Sequence, residues 1–269
     1  MLRVELATQL RRLRTLIALA GLAALPVVAA LATASSAGHR LGNQDGLFGA
    51  APYSALNHAM ASLQFTGPLL LPLVAALLAA AIGSADRDWG LLRYLYIAPV
   101  TRTRLLAGQL AAVVVATVAA VAAVVVAGVL VGLATFGWHP FHVIGAANLS
   151  TGAALGRVLA ACAYQTLCLL SIAAIAFALG VLLPRGAEAV AVAIAFVVAA
   201  SILNGQAGPH GLLHLVAVAL PVHYWQDWPG LLERAPAPHL GPGIAVQVAT
   251  VAVAVTAAAL TLHRRDPAA

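Results

Sequence analysis

The sequence predicts an all-α integral membrane protein: six transmembrane helices, an N-terminal interfacial helix, and short re-entrant helices before the last span. Three observations carry that prediction. Of the 269 residues, 62% are apolar and 8% charged, with a mean hydropathy of +0.98, a composition foreign to ordinary soluble domains. Six stretches approach the roughly 20 apolar residues that a helix needs to cross about 30 Å of hydrocarbon. Those stretches are continuously apolar and lack the period-two alternation of barrel strands. The chain reads as one transmembrane domain over residues 1–269.

Residues 1–14 come first. Leu2, Leu6, Leu10, Leu13 and Ile17 recur at helical spacing, while Arg3, Arg11, Arg12 and Arg14 lie mostly off that stripe. This is the pattern of an amphipathic helix lying in the membrane interface, its Arg side chains reaching the headgroups. A basic start, an apolar run and the tail ALATASSAG also fit a secretory signal peptide. The length of the apolar run and the organised stripe favour an uncleaved helix leading into a first span at about 15–34.

The second and third spans fall at about 67–85 and 107–135, the fourth and fifth at 158–183 and 187–206, and the sixth at 243–262. The fifth is bounded by Arg185 and Glu188 at its start and by Asn204, Gly205 and Gln206 at its end. Between it and the sixth, residues 207–242 hold an apolar stretch too short to cross and an aromatic, Pro-rich continuation. That region reads as short helices dipping into the outer leaflet, with Trp225 and Trp228 at the interface, and serves as a gate or as a cap.

Arginine placement orients these spans. With the N-terminus inside, eleven Arg face the cytoplasm against Arg40, Arg157 and Arg234 outside, which puts both termini in the cytoplasm. The net charge of +6 is therefore a topology signal rather than a nucleic-acid footprint. Lysine is absent, so the chain cannot carry a GxxxxGK[ST] phosphate loop. Cys162 and Cys168, six residues apart in one apolar stretch, fall on different sides of a helix and suggest neither a disulfide nor a metal pair.

Residues 86–109 form a charged, aromatic island between two apolar runs, holding six of the chain's 22 Asp, Glu and Arg residues. Leu91, Leu92, Leu95 and Tyr96 share one helical face, Pro99 ends that short helix, and Thr101 can cap the next one through Arg102 and Arg104. Residue chemistry alone leaves a plain headgroup loop open, with Trp89, Tyr94 and Tyr96 in the aromatic belt. The order of Asp86, Asp88, Gly90, Leu91, Leu92, Pro99, Arg102, Leu105, Leu106 and Gly108 resembles the membrane subunits of type 2 ABC exporters. So does the layout of interfacial helix, six spans and outer re-entrant helices. Gln109 stands where that family often has a basic residue, and the acidic pair is Asp rather than Glu.

The resemblance implies that the N-terminal helix, with Arg11, Arg12 and Arg14, is the elbow helix. It implies that residues 86–106 form the cytoplasmic coupling segment, in which Asp86, Arg87, Asp88, Trp89, Gly90, Leu91, Leu92, Leu95, Tyr96, Pro99 and Arg102 engage a separate ATPase subunit. It further implies a permease subunit in a bacterial cytoplasmic membrane, not itself an enzyme, paired with an identical or paralogous second permease. ATP and Mg would be bound by the partner ATPase pair, and this chain would hold no cofactor.

Polar residues inside the spans are few, and Gln165, Ser171 and Gln247 are the candidate pathway lining; interhelical hydrogen bonding is the plainer role for such residues. No acidic residue lies within a span away from its end, which disfavours a carboxylate proton relay, and the apolar interior suits a hydrophobic or amphipathic cargo such as a drug or lipid-like molecule. Gly128 and Gly132 form a GxxxG in the third span that permits close helix approach. Eight of nine His lie in predicted outer segments, among them the pairs His210/His214 and His139/His142. These keep open a haem- or metal-handling membrane protein, although no carboxylate or Cys completes a ligand set. A membrane anchor for a cytoplasmic partner is the other alternative.

Overall fold

The computed structural model describes residues 12–35, 47–85, 102–144, 147–208, 210–232 and 240–264. It is all-α over long, apolar elements. Helix α1 spans Leu13–Ser35, the four-residue α2 Leu47–Ala50, α3 Ala55–Thr66, α4 Leu70–Gly83 and α5 Arg102–Thr135. Then come α6 Thr151–Leu182, α7 Gly186–Gln206, α8 Leu212–Ala219 and α9 Leu240–Arg264. Among the described residues, five helices are long and apolar enough to cross a membrane, and α3 with α4 adds a sixth span bent by 65°. The architecture is that of a multi-span membrane protein.

Helix α4 lies within the expected second span at 67–85, and α3 precedes it across a break at Gly67 to Leu69. Pro68 contributes to the break, because it offers no backbone N–H to the carbonyl of Gln64, and Leu69 departs from helical geometry. Several polar side chains of α3 are engaged. Ser54 caps the helix by accepting from the Asn57 N–H, and its hydroxyl donates to Asn57 Oδ1 at 2.7 Å. Asn57 pins the loop after α5 twice, donating to the His142 carbonyl and accepting from the His142 N–H. His58 Nε2 donates to the Pro26 carbonyl of α1 at 3.0 Å. His58 therefore lies in a helix that packs against α1.

Small residues bring the backbones together. Added Cβ atoms at Gly128 and Gly132 of α5 would each stand 2.7 Å from a Cα of α3, at Ala59 and Ala55. The GxxxG is thus used within the chain. At the far end of α4, Gly83 faces Gly180 of α6, and a Cβ on Gly180 would meet the Ala80 carbonyl oxygen at 2.5 Å. Helix α6 packs against α4, α5, α7 and α9, and 67% of its most apolar window is buried. The corresponding share is 22% for α1 and α9, whose Val28, Leu31, Val253 and Leu260 point outward as lipid-facing residues should.

The long helices alternate in direction. One end of the bundle collects the termini at Leu13, Gly83, Arg102, Leu182, Gly186 and Arg264, and is called the Arg-rich end here. The other collects Ser35, Ala55, Thr135, Thr151, Gln206 and Leu240 and is the His-rich end.

Candidate functional site

Polar side chains converge where the second span breaks. Gln165 of α6 is fully buried, and neither atom of its amide has a hydrogen-bond partner. A Cβ at Gly67 would lie 3.5 Å from Gln165 Nε2 and 3.3 Å from Gln226 Nε2, so the two amides approach the break from α6 and from the segment after α8. Gln64 Oε1, three residues before Gly67, is also buried without a partner. In an apolar surrounding each such atom costs about 1–3 kcal/mol, so the cluster is poised to take water or a polar ligand group.

A roof closes this cluster at the His-rich end. It consists of two 3-10 turns, Pro221–Tyr224 and Trp228–Leu231. Three side chains hold it down. Tyr164 donates its hydroxyl to the Tyr224 carbonyl at 3.1 Å, Gln247 Nε2 to the Pro221 carbonyl at 2.8 Å, and Arg157 to the Leu231 carbonyl at 3.4 Å. Gly243 of α9 sits where a side chain would run into the Tyr164 hydroxyl and the Tyr224 ring. Trp225 and Trp228 are buried, with indole N–H groups that have no partner. This corrects the expected interfacial position of both Trp: the 3-10 turns direct their rings into the protein rather than towards headgroups.

Of the candidate pathway residues, Gln165 and Gln247 thus meet the roofed cluster. Ser171 does not, because its hydroxyl donates to the Cys168 carbonyl of its own helix at 2.7 Å. Thr117, Thr166, Ser201, Thr250 and Thr256 likewise bond carbonyls four residues back, the usual way for a helix to satisfy a hydroxyl. Sequence reasoning missed Gln64, Tyr164 and Gln226. The aromatic, Pro-rich stretch drew attention to the last, but nothing in it told which residues turn inward.

At the Arg-rich end, Arg14 lies in the first turn of α1, and its Nη2 donates to the Ala81 carbonyl in the last turn of α4 at 3.3 Å. A helix leaves its final carbonyls without intrahelical donors, and a cation there complements the helix dipole. Arg12 is half-buried beside this contact point in the sequence. Arg11 and the coupling residues Asp86, Arg87, Asp88, Trp89, Gly90, Leu91, Leu92, Leu95, Tyr96 and Pro99 lie outside the described residues; Arg102 opens α5.

The His pairs are engaged elsewhere. His142 stacks on Tyr53 with ring centroids 4.0 Å apart and hydrogen-bonds Asn148, while His214 meets His223 edge-on and His223 bonds Asn204 Oδ1 at 2.8 Å. Among the described residues no group of three or more His, Cys, Asp or Glu is placed to hold a metal ion. Both cysteines are free.

No curated protein matches the chain. Residues 25–220, from the middle of α1 to the edge of the roof, match the model of a family described as "Protein of unknown function (DUF2705)". That match spans well over half of the sequence, and the chain belongs to the DUF2705 family.

Proposed function

We propose that this chain is the permease subunit of an ATP-driven exporter of the type 2 ABC class, moving a hydrophobic or amphipathic substrate across a cytoplasmic membrane. The observation that carries the reading is the Arg14 contact with Ala81. It ties the start of α1 to the last turn of α4, immediately before the charged island at 86–109. A force applied to the island by a nucleotide-binding partner would reach α1 and the broken span together. The roofed cluster at the opposite end supplies a second feature that suits transport: polar groups sealed under turns held by three side-chain bonds. In this reading a pair of ATPase subunits binds ATP and Mg at the Arg-rich, cytoplasmic end, and a second permease subunit, identical or paralogous, completes the path.

The test is transport and ATPase activity of the chain reconstituted in proteoliposomes with its ATPase. Leu95→Asp, Tyr96→Asp and Pro99→Leu should each lower substrate-stimulated ATPase activity at least about tenfold, the effect of about 1.4 kcal/mol of lost coupling, while leaving the permease folded. Normal transport by all three variants would sink the proposal. Co-purification without substrate-stimulated hydrolysis would point instead to a membrane anchor.

A further inference from the structure

A groove of about 570 Å³ runs between α6 and α9. Its lining is apolar, with Leu179 and Leu182 of α6 on one wall and Val246, Val253 and Ala254 of α9 on the other. Thr250, the one polar residue among those that line it, turns its hydroxyl to the Val246 carbonyl of its own helix. Val253 and Leu182 are 71% and 46% exposed, so the groove opens sideways, to where lipid lies around a spanning protein.

Helices α6 and α9 run in the same direction and pack together. Gly243 of α9 leaves room for the Tyr164 hydroxyl of α6, which sets the two helices level at those residues. Arg185 follows Tyr164 by 21 residues and Arg264 follows Gly243 by 21 residues. Both Arg therefore come at about the same depth, roughly 30 Å from the roof and close to the hydrocarbon thickness, at the Arg-rich end of the groove. Both are exposed. Glu188 stands 3.3 Å from one Nη of Arg185, whose side chain stays 81% exposed, so two guanidiniums face one carboxylate.

From the level of Val246 to that of Leu182 the groove follows the helices for about 22 Å, more than one leaflet's share of the hydrocarbon core. Spread over that length, its volume gives a cross-section of about 25 Å², suited to a single hydrocarbon chain and far below that of a helix about 10–12 Å across. We propose that the groove holds one acyl chain of an anionic phospholipid from the leaflet at the Arg-rich end, with the phosphate set on Arg185 and Arg264. Guanidinium groups match phosphate oxygens in a bidentate fork, and the surplus positive charge favours a headgroup with no ammonium of its own. The site stands apart from the exporter reading, since it requires neither ATPase nor transport.

The test uses the full chain in nanodiscs of mixed phosphatidylcholine and phosphatidylglycerol, with a photoreactive diazirine on the acyl chain of one lipid or of the other and labelled residues mapped by mass spectrometry. The phosphatidylglycerol probe should label residues 175–182 and 246–254 saturably and at least about fivefold more than the phosphatidylcholine probe. Arg185→Gln and Arg264→Gln should each lower that labelling about fivefold, the share expected of one Arg beside anionic lipid. Ala249→Trp, which fills the groove from an exposed position and leaves both Arg in place, should abolish the saturable labelling there. Equal labelling by the two probes on the native chain overturns the proposal, as does labelling that both Arg variants leave unchanged, or labelling that survives Ala249→Trp.

Discussion

Helix α4 has a glycine at each of its ends, and uses the two in opposite ways. At Gly83 the missing side chain lets backbone meet backbone: α4 and α6 touch through Gly83, Gly180 and the Ala80 carbonyl, with no polar side chain in the contact. At Gly67 the missing side chain leaves room for the amides of Gln165 and Gln226, one of them without any partner. The first arrangement resists displacement because overlap of main-chain atoms cannot relax by a rotamer change. The second is held short of full satisfaction and gains if water or a polar group arrives. Helix α4 thus has a fixed end and a convertible one, which is the mechanical minimum for a lever.

The sharpest way to break this contrast is at the fixed end. Gly180→Val should destabilise the protein by about 3 kcal/mol or more, since its Cβ would press on the α4 backbone. Gly156→Ala on the same helix meets nothing within 4 Å and should be neutral or stabilising by up to about 1 kcal/mol. Thermal unfolding in detergent compares the two, and similar midpoints would mean that the crossing is looser than the 2.5 Å approach to the Ala80 carbonyl oxygen implies. A smaller effect is expected at the roof. Gln247→Leu removes the bond to the Pro221 carbonyl and should cost about 1 kcal/mol. It should also speed amide exchange over residues 221–231, while exchange in α4 stays slow. Smallest is the convertible end itself: Gln165→Leu exchanges two unpaired polar atoms for apolar ones and should leave stability unchanged or raise it by up to about 1 kcal/mol. A large loss of stability would show instead that Gln165 is engaged by ordered water in the closed state.

These contrasts also mark what the sequence could reveal. Spans near 107–135 and 158–183 were legible because apolar residues follow one another without a charged interruption, and a bilayer imposes length directly. Residues 55–66 were not, because Asn57, His58, Ser62 and Gln64 lower the apolar content, and the groups that engage Asn57 and His58 sit far away in the chain. Asn57 meets a loop 85 residues later and His58 a carbonyl 32 residues earlier. For the candidate site, Gln165 and Gln247 stood out as amides in apolar runs, whereas Ser171 looked equivalent and proved to serve its own helix. Trp225 and Trp228 were misplaced because their aromatic, Pro-rich surroundings match an interfacial belt as well as a buried roof.

The depth at which α6 is buried bears on how the protein is made. A helix with two thirds of its apolar window covered by other helices, and with Gln165 in its middle, is poorly suited to sit alone in lipid. Synthesis proceeds from the N-terminus, so α4 and α5 are in place before α6 emerges. The segment with most to hide meets a seat already prepared, and α9 arrives last to shut its remaining side.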